Sequence, residues 1–265
     1  MYLAFFHQDL SEQILLDQNN HLHQEVSELR EQLTLANSTI QSFRAMIANS
    51  SSSTVEGYAS LQGPAVRQKI DPVTRRTVSE GIMTNISVEI RPGEGRVLVQ
   101  TRPLMGIVFQ DAANTAVLVA QNSTGKQLAN RDVIFVVEAQ DQIPAVDGPS
   151  AGALMTSLVI LALTGVEPPQ DVALTGTIEP SGHIGAIGGV VEKAQAAREY
   201  GKTLILLPRE NARLVQYPEV VGDSPGVPFI ERMPSVVDAK QYIEKEIGIR
   251  VEYVDSIGDI QSYLT

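Results

Sequence analysis

The sequence predicts a mixed α/β domain of α+β class behind an N-terminal coiled-coil helix. Apolar residues recur every seven positions from Leu15 to Ile47. A polar run, Asn49-Ser-Ser-Ser-Ser-Thr54, follows; it has no large apolar side chain and reads as a flexible linker. Beyond it, short apolar runs of strand type alternate with stretches of helical spacing, the pattern of a sheet covered by helices. The expected division is 1–48 for the helix, 49–56 for the linker and 57–265 for the folded domain.

In the heptad, Leu15, Leu22, Leu29, Ala36 and Phe43 take position d, and Asn19, Val26, Leu33, Ile40 and Ile47 take position a. β-Branched residues at a with Leu at d favour a parallel dimer, and one Asn at a fixes its register. Glu25 at g and Arg30 at the following e are spaced for an interchain ion pair. The alternative is a lone amphipathic helix packed on the domain. Next, Ile86, Val88 and Ile90 alternate, Arg91-Pro-Gly-Glu-Gly95 turns and Arg96–Val99 returns, which predicts a hairpin. Phe109, Ala112, Ala113, Ala116, Val117 and Ala120 follow helical spacing toward Gly125. Asp132–Val137 reads as a buried strand, Ala151–Leu163 as a strongly apolar helix and Val172–Ile178 as a strand. Val190–Tyr200 reads as a helix closed by Gly201, and Thr203–Leu207 as a further strand. A helix over Val236–Glu246, a strand over Val251–Val254 and a short final helix complete the prediction.

Composition narrows the function classes. The 265 residues are 43% hydrophobic, enough for one sizeable domain with an appendage. Lys+Arg 20 against Asp+Glu 31 gives a net charge of −11. A dedicated nucleic-acid binder or anionic-membrane surface protein needs a basic footprint instead, so no nucleic-acid partner is expected. The absence of cysteine removes disulfides, thiol catalysis, thiolate zinc sites and iron–sulfur clusters. Of the histidines at 7, 21, 23 and 183, three lie in the N-terminal segment, so a histidine triad or metal site would rest on His183. No metal or cofactor is expected. No apolar run reaches the ~18–20 residues that span a bilayer, and Met1–Phe6 is too short for a signal-peptide core. The expected location is cytoplasmic; the alternative is membrane attachment through an anchor removed upstream.

The densest candidate for chemistry is Asp147-Gly-Pro-Ser150-Ala-Gly152, between a strand and the apolar helix. A Ser at a helix start is ordinarily an N-cap. Here Gly148 and Pro149 force a sharp turn, and Ala151 and Gly152 keep the approach open. The first N–H groups of the following helix can point at an oxyanion, the layout of an acyl-transfer site. A serine nucleophile needs a base. His183, in Pro180-Ser-Gly-His, reads as a surface residue. On the helix after Gly189, residues Val190, Lys193, Ala194 and Ala197 share one face, with Glu192, Gln195 and Glu199 on the wetter side. Lys193 there either snorkels or is desolvated, its pKa drawn from ~10.4 toward neutrality, and so able to take a proton from Ser150. Ser123-Thr-Gly-Lys126 also fits S-x-x-K, but it falls at a predicted helix end where that motif needs a helix start.

Together Asp147-Gly-Pro-Ser-Ala-Gly152, Thr175-Gly176 and Ile187-Gly-Gly-Val-Val-Glu-Lys193 with Ala196-Ala197 resemble the proteolytic domain of Lon proteases, in order and spacing, from about Val78 to the C-terminus. The resemblance implies a Lon-protease-like fold and a Ser–Lys serine endopeptidase acting on unfolded proteins or peptides. It implies Ser150 as nucleophile, Lys193 as general base, Thr175 orienting the lysine and Asp147 shaping the site. Main-chain groups around Gly148 and Ala151 would form the oxyanion region. No G-x-x-x-x-G-K-[ST] motif is present, and a coiled coil stands where Lon enzymes carry an ATPase. The implied enzyme is therefore ATP-independent, or served by a separate unfoldase. Homo-oligomerisation, with the six-membered ring of Lon domains as one form, is expected. Tyr217–Pro228 reads as an insertion near the substrate entrance. The competing readings are a coiled-coil scaffold with an inactive Lon-like domain and a protease that processes only itself.

Overall fold

The computed structural model describes residues 18–19, 21–36, 38–40, 55–71, 75–101, 104–139, 145–146, 148–216, 219–224, 227–232 and 234–264. They fall in two compact units, Met1–Thr54 and Val55–Thr265. In the first, residues 21–36 form helix α1, with 18–19 and 38–40 also helical. Its Leu22, Val26, Leu29, Leu33 and Ile40, at predicted a and d positions, are 43–62% exposed. Leu15, Phe43 and Ile47 of the same heptad lie outside the described residues. No helix among the described residues is long and apolar enough to cross a membrane.

The second unit opens with a long hairpin, β1 (Gly57–Ile70) antiparallel to β2 (Thr77–Pro92). There follow β3 (Val97–Thr101), β4 (Leu104–Met105), helix α2 (Ile107–Thr124), β5 (Arg131–Ala139) and β6 (Ala145–Val146). The main sheet has the order β1-β2-β5-β3. This corrects the expected hairpin between Ile86–Ile90 and Arg96–Val99: β5 lies between those strands, antiparallel to β2 and parallel to β3. Parallel neighbours need a crossover, and α2 supplies it. Asp132 at the start of β5 fixes the 91–95 turn in this arrangement. Its Oδ1 accepts the N–H of Glu94 at 2.9 Å and of Arg96 at 3.0 Å, and its Oδ2 meets the Arg96 guanidinium at 2.6 Å.

Helix α3 (Gly152–Thr164) is buried at every residue from Gly152 to Ala162, as its unbroken apolar sequence demands. It packs against α2, β1 and β2. Behind it stands a second, parallel sheet of β7 (Val172–Leu174), β8 (Leu204–Pro208) and β13 (Arg250–Val254), in the order β13-β8-β7. Helix α4 (Val190–Glu199) lies between β7 and β8 in sequence. The remaining pairs are β9 (Arg213–Gln216) with β12 (Ser235–Asp238), and the hairpin of β10 (Glu219–Ser224) and β11 (Val227–Arg232), which overlaps the segment read as an insertion and extends beyond it to Arg232. Helix α5 (Ala239–Tyr242), a π turn over Ile243–Ile247 and helix α6 (Ile257–Leu264) complete the unit.

Two predicted elements are shorter than expected. Val236 and Val237 belong to β12 and not to a helix, because Asp238 caps α5 by accepting the Gln241 N–H at 2.8 Å. The strand from Val172 ends at Leu174, because Gly176 turns its backbone toward the start of α3.

The core has two parts. The larger gathers Ile86, Phe135, Leu154, Leu158, Leu174 and Leu206, and the smaller gathers Met83, Ala173, Val190, Ala194, Ile205 and Val251. Successive residues of β7 and β8 alternate between them, so the parallel sheet is the partition.

Hydrogen bonds from Arg96 and from the Glu94 and Arg96 amides hold the Asp132 carboxyl at about 2, below its ordinary 3.8. A depressed folded-state pKa contributes stability that is fully present above the unfolded value and lost as pH falls through the folded one. Asp132→Asn should therefore lower the urea midpoint at pH 5–7. The difference from the unsubstituted protein should shrink between about pH 4 and pH 2; a difference that stays constant across that range would contradict the assignment.

Candidate active site

Gly148 sits at φ 117°, a conformation that favours glycine, and starts a turn that Pro149 continues. Pro149–Ala151 is a single 3₁₀ turn running into α3 at Gly152. Ser150 lies inside that turn. The capping positions of the turn and of α3 are Gly148 and Ala151, and neither carries a side-chain cap. The ordinary reading of Ser150 as a helix cap thus does not hold. Its carbonyl accepts the Gly176 N–H at 2.9 Å and the Thr175 hydroxyl at 3.1 Å, while Ala153 N–H donates to the Gly176 carbonyl at 3.0 Å. These bonds bind the serine turn to the end of β7.

Lys193 approaches the same place from α4. Gly189 N-caps that helix at φ 65°, and a Cβ there would meet Val66 at 2.5 Å. The helix buries Val190, Lys193, Ala194, Ala196 and Ala197, the stripe expected from its spacing with Ala196 added. Lys193 is 3% exposed, and its Nζ donates to Thr175 Oγ1 at 3.2 Å. The Thr175 hydroxyl has one proton, given to the Ser150 carbonyl, so toward Lys193 it acts as an acceptor. A neutral Lys193 amine consequently keeps its lone pair for another proton donor. Desolvation by burial holds this amine at about 8, well below an ordinary lysine.

Gly148, Pro149, Ser150, Ala151 and Lys193 all line one cavity of about 470 Å³. Its other walls come from Gly63–Val66 of β1, from Ile82, Thr84 and Ile86 of β2, and from Ala186–Gly189 before α4. Glu192, placed by helical spacing on the wetter side, also lines it. Glu192 and Lys193 are the ionisable groups among the described residues of the lining.

The structure thus brings together Ser150, Thr175, Lys193, Gly148 and Ala151. Asp147 lies outside the described residues. His183 is elsewhere: its ring meets the Glu210 carboxylate at 3.0 Å, which raises its pKa, and it does not line the cavity. The S-x-x-K run ends α2, where Gly125 caps the helix in the left-handed conformation. Among the described residues no three His, Asp or Glu side chains converge as a metal site would. Sequence reading missed the contribution of β1 and β2; Gly63 and Pro64 of β1 look like strand breakers. It also missed Glu210 and Asn211, polar residues after a buried strand that bond to the 186–187 backbone.

Residues 75–242 match the model of the Lon protease (S16) C-terminal proteolytic domain. The chain is similar to the Lon protease of Finegoldia magna, 33% identical over 142 residues, which is 51% of this chain and 18% of that protein. It is also similar to those of Clostridioides difficile, 30% identical over 60% of this chain and 20% of that protein, and Vibrio parahaemolyticus, 34% identical over 56% and 19%. The chain spans about a fifth of the length of the curated relatives it matches.

Thr175 is 1% exposed, so replacing it by the near-isosteric valine leaves the Lys193 amine without this acceptor. Thr175→Val should cost about 1–3 kcal/mol of stability, the usual penalty for a buried polar group that loses its partner. Urea denaturation of both proteins at pH 7 checks this, and equal midpoints would show that the hydroxyl bridges nothing.

Proposed function

The chain belongs to the Lon protease (S16) C-terminal proteolytic domain family, and on that premise we propose that it is a serine endopeptidase cutting polypeptides through a Ser150–Lys193 dyad. The observation that carries the proposal is the buried Lys193 amine on Thr175, lining one cavity with Ser150. Neutral Lys193 takes the Ser150 proton as the hydroxyl attacks the scissile carbonyl, and then passes it to the leaving amine. Backbone around Gly148 and Ala151 faces the developing oxyanion, the group that gains most from fixed dipoles. Water, deprotonated by the same amine, resolves the acyl-enzyme. Asp147, next to this turn in sequence, shapes access in the same reading. An intact Ser150 and a lysine kept in a buried stripe favour a working enzyme over an inactive scaffold.

The sequence has no phosphate-cradling G-x-x-x-x-G-K-[ST] loop, so peptide hydrolysis by this chain proceeds without ATP in this reading. Self-association belongs to the proposal too. The exposed a and d residues of α1, with Glu25 and Arg30 at complementary g and e positions, suit a parallel pair of helices.

Ser150→Ala should abolish cleavage of casein and of short peptides while the protein stays folded by circular dichroism; undiminished turnover would end the proposal. For the unsubstituted protein, peptide cleavage should be equal with and without ATP. Its kcat/KM should rise with pH through about 8 as Lys193 loses its proton, and Lys193→Arg should be nearly inert because guanidinium stays charged. A profile flat from pH 6 to 9 with chemistry rate-limiting would remove Lys193 as the base.

Deleting residues 1–49 should lower the number of copies per particle, the light-scattering mass divided by the chain mass, and leave peptide turnover per chain unchanged, since no proposed catalytic group lies there. An unchanged number of copies would show that α1 does not hold them together.

A further inference from the structure

Residues 186–189 line the cavity with Lys193, and their backbone is held from outside it. Strand β8 ends at Pro208, and Arg209–Asn211 forms a 3₁₀ turn. Two side chains of this turn reach the segment that precedes α4. Glu210 accepts the Ala186 N–H at 3.0 Å. Asn211 pairs with Ile187 in both directions, accepting its N–H at 2.9 Å and donating to its carbonyl at 2.9 Å. Ala186, Ile187, Gly188 and Gly189 all line the cavity, and the Gly189 carbonyl accepts the Lys193 N–H at 2.9 Å in the first turn of α4. Neither Glu210 nor Asn211 lines the cavity.

We propose that Glu210 and Asn211 are positioning residues that set the depth of Lys193 by clamping the 186–189 backbone from the far side. The inference rests on the Ser–Lys reading of the site. A 3₁₀ turn tied to the end of a buried strand is a rigid support, and three hydrogen bonds to two consecutive residues leave the segment little freedom to slide. Loss of the clamp lets 186–189 relax, α4 shifts at its N-terminus and water reaches the amine. Glu192 and Lys193 are the ionisable groups among the described residues of the cavity, and Thr175 is the hydroxyl on the amine. Hydration or misplacement of Lys193 then shows in the pH profile. A displacement near 1 Å costs about 10²-fold in rate.

The test compares Glu210→Ala, Asn211→Ala, Glu210→Gln and Asn211→Asp in the full chain, with Arg209→Ala as control; Arg209 pairs with Asp255 and not with the segment. Both alanine variants should lose roughly 10- to 10²-fold in kcat and move the ascending limb of kcat/KM to higher pH. Glu210→Gln keeps an acceptor for Ala186 and should match the unsubstituted protein, as should Arg209→Ala. Where turnover is too weak to profile, NMR titration of ¹³C-labelled lysine reads the same shift. Should the alanine variants fail to fold, Asn211→Asp decides, because it keeps the acceptor and loses the donor. An ascending limb left in place, whatever happens to turnover, overturns the inference. Ser150→Ala run alongside separates the two claims. An inert Ser150→Ala with an unmoved limb in the clamp variants removes the clamp alone, whereas an active Ser150→Ala removes the Ser–Lys reading and the clamp with it.

Discussion

Burying an amine in an apolar setting is unfavourable unless something accepts its hydrogens, and at Lys193 the Thr175 hydroxyl does so. Much of the surrounding structure follows from delivering that hydroxyl. Strand β7 has to stop at Leu174 so that Thr175 and Gly176 can turn their polar groups toward Ser150 and Ala153. The serine turn, the strand end and the lysine helix are thereby three separate pieces of chain sharing one small set of hydrogen bonds. Because the Thr175 proton is committed to the Ser150 carbonyl, the direction of each bond is fixed as well as its length. A threonine in this place orients the amine without competing for its lone pair.

The approach of these pieces depends on residues that do no chemistry. A left-handed Gly189 lets α4 begin hard against Val66 of β1, and Gly148 turns the chain into the serine loop in a conformation that side chains resist. The apolar α3 has no wet face to turn outward, so it is enclosed by α2 and the main sheet. Its start, and with it Ser150, is held as firmly as the core itself. A side chain at the end of a fully enclosed helix has its position set by packing, and hydrogen bonds then refine the orientation.

How much of this could be read beforehand varies with the range of the interaction. The stripe of Val190, Lys193, Ala194 and Ala197 lies within one helix, and its periodicity is enough to bury the lysine. Ser150 stands out because Gly and Pro mark a turn before an apolar helix. The hairpin placed across Arg91–Gly95 was misread because a local turn signal says nothing about which strand inserts beside it; Asp132, 36 residues after Arg96, decides that. Strand β1 was not anticipated at all. Its Pro64 and Gly63 look like breakers, yet β1 is an edge strand of its sheet, where a missing N–H is tolerated. Val236 and Val237 fit a helical pattern until Asp238 caps the helix behind them. Glu210 and Asn211 carry no periodic signal, because their partners are backbone groups 24 residues away.

The partition between the two cores has a mechanical consequence. Leu174 and Leu206 face the larger core, while Ala173 and Ile205 face the smaller. Ser150 is rooted in the first through α3 and Lys193 in the second through α4, so the two groups rest on different cores, joined by the parallel sheet and by the packing of α4 on β1 and β2. Any shift of one core relative to the other changes the separation of the Ser150 hydroxyl and the Lys193 amine. If the proposed Ser–Lys pair does the chemistry, turnover is a strain gauge for that seam. A substitution deep in either core, well away from the cavity, registers first as a misaligned pair of atoms and only later as unfolding.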